Sequence, residues 1–215
     1  MRRKFRVLAS VVAVAIFGAA LSVQVNGAAL KSDMLLVAAA RTSDVAEVRR
    51  LIEQGVDVNQ AEPDGATALH WASHQNDPEI VKLLLDAGAA VAVVNRYGVQ
   101  PLSLAAENGN AVILELLLEA GADPNGSLPE GETALMTAAR AGDADSIRAL
   151  LVHGADPNAR DSYRGQTALM WAAARNHAAA IHTLAELGAD IHATTNTEAA
   201  SPNGPRMFYA SNPTG

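Results

Sequence analysis

Residues 65–77 read GATALHWASHQND, and the pattern returns as GVQPLSLAAENGN at 98–110, GETALMTAARAGD at 131–143 and GQTALMWAAARNH at 165–177. The offsets between these stretches are 33, 33 and 34 residues. A second string keeps step with the first: QGVDVN, AGAAVA, AGADPN, HGADPN and LGADIH, whose glycines are Gly55, Gly88, Gly121, Gly154 and Gly188. A fixed period of this size marks supersecondary units that bury their apolar faces against one another.

Each unit reads as two helices. Thr67, Thr133 and Thr167 stand where a hydroxyl caps the first amides of a short helix, and Pro101 fits the first helical position in the unit that lacks Thr. Asn76, Gly109, Gly142 and Asn176 mark the turn that follows, and Asp77 then caps a second helix with Pro78 at its first position. In the second helix Val48, Val81, Leu114, Ile147 and Ile181 form one column, and Leu51, Leu84, Leu117, Leu150 and Leu184 a second column three residues on. These columns are the expected core. The five glycines end the second helices, where a left-handed residue is needed. Between units lies a run of Asn, Asp, Pro and Gly, reaching Gly65, Gly98, Gly131 and Gly165, that predicts a turned, hairpin-like link. The extra residue of the last offset falls there, between Asn158 and Gly165.

These strings resemble the ankyrin repeat, and the resemblance covers residues 31–194. TALH at 67–70, PEIVKLLLDAGA at 78–89 and GADPN at 121–125 and 154–158 carry it. It implies an all-α solenoid of five stacked helix-turn-helix units with hairpin-like links, at 30–61, 62–94, 95–127, 128–161 and 162–194. The first unit, MLLVAAARTSDVAEVRRLIEQG, lacks the Thr and the turn glycine and carries Arg49 and Arg50 on its second helix, as an N-terminal cap would. Ala90 and Ala92 replace the Asp and Asn of the family pattern, which predicts a looser link there. His70 and His74, one turn apart, have the spacing of half a zinc site. The resemblance instead makes His70 structural, bonding to backbone and cap groups between adjacent repeats, and leaves His74 on the surface.

The N-terminus, MRRKFRVLASVVAVAIFGAALSVQVNGAAL, joins a basic n-region to an apolar run from Val7 to about Leu21 and then to small residues. That is the pattern of a cleaved secretory signal over residues 1–29, with cutting after Ser22, Gly27 or Ala29 and the bacterial periplasm as destination. The alternative is an uncleaved inner-membrane anchor, against which polar Ser22, Gln24 and Asn26 argue. The chain has no Cys, which excludes lipid attachment through Cys, disulfides and thiol chemistry. Without Arg2, Arg3, Lys4 and Arg6 it keeps 12 basic against 23 acidic residues, a net charge of −11. An acidic chain is a poor ligand for nucleic acid or an anionic membrane, whereas a basic protein partner suits it.

No nucleophile elbow or phosphate loop occurs, and His153, His177, His182 and His192 are scattered at helix ends without an acidic residue at a recurring spacing. Glu130 and Glu132 fall in a link, where carboxylates face water. The expectation is a non-enzymatic module with no catalytic residue, cofactor, metal or small-molecule substrate. The resemblance places Asp64, His74, Gln75, Arg96, Tyr97, Glu107, Asn108, Glu130, Glu132, Arg140, Tyr163, Arg164 and Arg175 along one concave stripe for a protein partner. Arg96 with Tyr97 and Tyr163 with Arg164 are of the types enriched in interface hot spots. Trp71 and Trp171, at equivalent positions, are expected to pack between units.

After His192 the period lapses. A sixth TALH-like start is due near residue 200 or 201, but residues 195–215 are rich in Asn, Pro, Thr and Ser around an apolar Met207, Phe208 and Tyr209. Two expectations follow: the chain is the N-terminal part of a longer array, the module belonging to a larger polypeptide, or this tail covers the last unit. Both rest on Ile181, Leu184 and Leu187 being left without a covering unit.

Overall fold

A computed structural model describes residues 34–195; the basic and apolar N-terminal segment, its expected cleavage sites and residues 196–215 lie outside them. Ten helices are seen among the described residues. They are α1 (34–41), α2 (Val45–Glu53), α3 (Ala68–His74), α4 (Pro78–Asp86), α5 (Pro101–Asn108), α6 (Ala111–Glu119), α7 (Ala134–Ala141), α8 (Ala144–Val152), α9 (Ala168–Ala174) and α10 (Ala178–Glu186). The only β-pairing among the described residues is a pair of isolated antiparallel bridges, Ala61 with Thr67 and Ser127 with Thr133. None of these helices is long and apolar enough to cross a membrane.

The helices form hairpins in two compact units that divide at Asp123 and Pro124. In the first, α3 packs on α4 and α5, while α4 also packs on α2 and α6. In the second, α7 packs on α8 and α9, and α10 on α8 and α9. The two predicted columns hold this packing together: Val48, Val81, Leu114 and Ile147 are buried, as are Leu51, Leu84, Leu117, Leu150 and Leu184. Leu184 therefore corrects the expectation that it stands uncovered. It is fully buried in α10, which packs on α9 and on α8 of the preceding hairpin, and only Ile181 and Leu187 of the three remain half-buried.

Local chemistry sets the helix ends. Asp44, Asp77, Asn110 and Asp143 accept a backbone N–H of the second helix they precede. Thr133 caps the amide of Met136 as expected and Thr67 forms a capping box with His70, whose ring accepts the Thr67 N–H, whereas Thr167 makes no side-chain cap hydrogen bond. The Thr67 hydroxyl turns to the His70 ring 2.9 Å away, and Thr167 Oγ1 is buried without a hydrogen-bond partner. Asn76 and Asn176 adopt left-handed φ values of 61° and 59° at the hairpin turn, and Ser43, at 54°, does so in the unit without a turn glycine.

The links are tight turns. Glu62 N–H donates to Ala66 O and Gly65 N–H to Glu62 O, and the same pair of bonds recurs at 95–99 and 128–132. At Gly131, φ is 78° and an added Cβ would sit 2.6 Å from Ser162 Oγ and 2.9 Å from Ser162 N, so both conformation and space demand glycine. The extra residue of the last offset widens one tip: Asp161 N–H reaches Gln166 O, and the Asp161 carboxylate fills the turn by accepting the Tyr163 and Arg164 amides at 3.0 and 2.7 Å.

Candidate protein-binding surface

The candidate residues fall into two patches, one on each unit. On the first, the tips at 62–66 and 95–99 are joined by a bond from Arg96 N–H to Asp64 O of 2.8 Å, and the Asp64 carboxylate braces its own turn through Ala66 N–H. Tyr97 projects from the second tip with 59% of its surface exposed, and the Arg96 guanidinium lies 4.9 Å over its ring and donates to the phenol oxygen at 2.7 Å. That stacking fixes an aromatic side chain in water at little further entropy cost.

Other members of this patch hold the scaffold. Asn108 donates its side-chain amide to Ser73 O and His74 O, and Gln75 donates to Arg41 O at 2.6 Å. Both side chains tie neighbouring hairpins together. His74 is exposed and meets the edge of Trp71 at 6.0 Å, and Glu107 is exposed. Between the tips lies a cleft of about 200 Å³ lined by Asp64, His70, Trp71, His74, Asn95 and Leu104.

His70 forms the floor of this cleft and is 2% exposed. Its Nδ1 faces the Thr67 N–H, which can only donate, so Nδ1 accepts and the ring proton sits on Nε2. Nε2–H then donates to Val99 O at 3.1 Å, in the link of the next hairpin. Both nitrogens are spent on backbone, and burial lowers the ring's pKa, with the Val99 carbonyl partly opposing.

On the second unit Ser162 N–H donates to Glu130 O at 2.9 Å, again joining two tips. Tyr163 is 50% exposed with the Arg164 guanidinium 5.7 Å over its ring. Glu130 and Arg175 are exposed, but Glu132 is half-buried, taking the Thr137 hydroxyl at 2.9 Å and Arg140 at 3.2 Å. Glu132 thus departs from the reading that it only faces water. A cleft of about 270 Å³ is lined by Glu130, Glu132, Asp161, Tyr163, Arg164, Gln166 and Trp171.

The two tryptophans sit in matching clusters. The Arg41 guanidinium lies 5.2 Å over Trp71, whose Nε1–H donates to Glu62 at 2.7 Å, and Arg41 also pairs with Glu62 at 3.2 Å. Arg140 lies 5.3 Å over Trp171, whose Nε1–H donates to Asp161 at 3.3 Å. Each indole joins an arginine of the preceding hairpin to an acid of its own link. The tryptophans therefore pack between hairpins, and Arg41, Glu62 and Asp161 are the residues that sequence reasoning missed. Their signal was present: Arg41 and Arg140, like Glu62 and Asp161, stand 99 residues apart, three periods of the repeat.

Of the remaining histidines, His177 corrects the expectation of a solvated helix end. It is half-buried and its Nε2 lies 3.1 Å from Arg140 O, bridging two hairpins. His153 bonds Ala149 O, and exposed His182 pairs with Glu186. Among the described residues no group of three or more His, Asp or Glu side chains could hold a metal ion.

No curated protein matches the chain at a significant level. The family model described as ankyrin repeats (3 copies) matches at residues 19–95, 35–128 and 102–195. Helix pairs at a 33-residue period, hairpin-like links, a buried His70 bridging to the next link and this match over most of the length agree: the chain belongs to the ankyrin-repeat family.

Proposed function

We propose that this chain is a non-catalytic protein-binding module that acts after export, taking its partner on the link tips. Ankyrin repeats suggest protein–protein interaction, and the family generally serves as a non-enzymatic scaffold. The observation that carries the reading here is the pair of exposed tyrosines, Tyr97 and Tyr163, each stacked under an adjacent arginine on a tip whose backbone is bonded to its neighbour. A held aromatic loses little entropy on contact, and Tyr and Arg dominate interface energetics. Asp64 and Arg96 lie at the first tyrosine and Glu130 and Arg164 at the second, with His74, Glu107 and Arg175 exposed on the same units. The excess of acid over base favours a basic partner.

The basic n-region and apolar run support export to a periplasm, with removal of residues 1–29. N-terminal sequencing of protein recovered from the producing cell tests this: a chain starting after Ser22, Gly27 or Ala29 is expected, and one starting at Met1 in the cytosol would overturn it. For binding, the partner is captured from a native periplasmic extract, purified and titrated. Tyr97→Ala with Tyr163→Ala should weaken it by about 1–4 kcal/mol in total while the helical circular dichroism stays the same. Unchanged affinity in the double variant would remove the tips from the interface.

A further inference from the structure

The acids of the two tryptophan clusters are balanced differently. In the first unit Glu62 accepts the Trp71 indole N–H and pairs with Arg41 at 3.2 Å, so a cation meets its charge. In the second unit Arg140 pairs instead with Glu132. Asp161, in the place of Glu62, accepts neutral donors alone: the amides of Tyr163 and Arg164 and the Trp171 indole N–H. It is 7% exposed and has no ion pair among the described residues. A carboxylate so far out of water, held only by dipoles, favours a cation that comes within reach.

Asp161 lines the second unit's cleft of about 270 Å³, and acceptors are left over around it. Glu130 is exposed and makes no ion pair among the described residues. Both bonds to Glu132 end on Oε1, which leaves Oε2, and the Gln166 side chain makes no hydrogen bond among the described residues. Counting Arg140 on Glu132 and Arg164 on the cleft wall, three carboxylates face two guanidiniums. The volume falls below the range of about 300–1,000 Å³ usual for drug-sized ligands, which suits a single side chain. We infer that this cleft takes a lysine side chain of the basic partner, an inference that rests on the protein-binding reading above. The aliphatic stem lies along the Trp171 and Tyr163 rings, and the three ammonium protons meet Glu130, Glu132 Oε2 and the Gln166 carbonyl, with the Asp161 charge behind them. Arginine fits less well, because Arg140 and Arg164 already lie over the two rings on which its guanidinium would stack. The first unit's cleft has Asp64 as its one carboxylate, already braced to Ala66 N–H, and offers a cation less.

The chain's two tryptophans report the two clefts separately. N-acetyl-lysine methylamide, titrated at constant ionic strength into the nitrogen-labelled full chain, should shift the Trp171 indole N–H resonance along a saturable curve and leave that of Trp71 nearly in place. The norleucine counterpart, which keeps the stem and lacks the ammonium, should bind about fivefold more weakly or worse, and the arginine counterpart should also bind less tightly. Glu130→Gln, at an exposed position, should weaken the lysine probe about two- to fivefold. An unmoved Trp171, an equal response to norleucine or arginine, or an equal shift at Trp71 would overturn the inference. Tyr97 lies outside this cleft, so partner binding that Tyr97→Ala weakens, together with a Trp171 resonance indifferent to the lysine probe, would keep the binding module and remove the lysine site.

Discussion

At the scale of single residues, the opening pair of histidines separates cleanly. His74 is exposed against the edge of Trp71, whereas His70 is buried with both ring nitrogens engaged by backbone. Protonating His70 puts a proton on Nδ1 facing the Thr67 N–H, a donor against a donor, in a site that already disfavours charge. The native pKa is lowered from its ordinary value of about 6.5, so below that value the unfolded chain binds more protons than the native one and stability rises with pH. The contribution is complete above about pH 6.5 and is lost as pH falls from there through the lower native value. Urea midpoints of the wild-type chain and of His70→Gln, taken from pH 7.5 down to 5, should therefore converge on acidification. At pH 7.5 the variant should be weaker by about 1–3 kcal/mol for the backbone groups it leaves short of a partner. Parallel curves across the range would show that His70 does not titrate in the folding equilibrium.

At the scale of elements, the links are clasped by one recurring side chain. Asn59 donates to Gly88 O and accepts from Ala90 N–H; Asn158 does the same with Gly188 O and Asp190 N–H; Asn125 with Gly154 O and Asp156 N–H. Ala92 holds this position in the second link and has no amide to offer, so that step lacks the clasp. Ala92→Asn should raise stability by about 0.5–1.5 kcal/mol, seen as a higher urea midpoint with unchanged slope, and Asn59→Ala should lower it by a similar amount. No gain from Ala92→Asn would mean that the backbone there is set differently from the other links. Much of this level was legible beforehand, because helix pairs, turn residues and core columns all repeat at 33 residues and each position is read several times over. What escaped was chemistry that joins one period to another. Thr67 reads as a simple cap, but its capping box is closed by the His70 ring, and Arg41 goes unread until Trp71, thirty residues on, comes to lie beneath its guanidinium. The candidate surface was readable only as a set of positions: sequence placed Asn108 and Gln75 beside Tyr97, and side-chain geometry separated the two that fasten hairpins from the one that projects.

At the scale of the whole molecule, charge is the property that bears most directly on partner choice. The full chain sets 16 basic residues against 23 acidic ones, and several of the arginines are already committed: Arg41 and Arg140 to tryptophans and carboxylates, Arg49 and Arg50 to Glu79 and Glu47. Exposed carboxylates such as Glu107 and Glu130 beside the tips thus act in a field that is negative over distances comparable to the Debye length, about 8–10 Å at 0.1–0.15 M salt. Such a field chiefly steers encounter, while the tyrosines, desolvated on contact, govern residence. The two contributions should separate in kinetics. With a basic partner, raising salt from about 0.05 to 0.5 M should slow association by an order of magnitude or more and leave dissociation nearly unchanged. Glu107→Gln with Glu130→Gln should flatten that salt dependence, whereas Tyr97→Ala should speed dissociation at every salt concentration. An association rate indifferent to salt would exclude a basic partner and leave the tips to bind through aromatic contact alone.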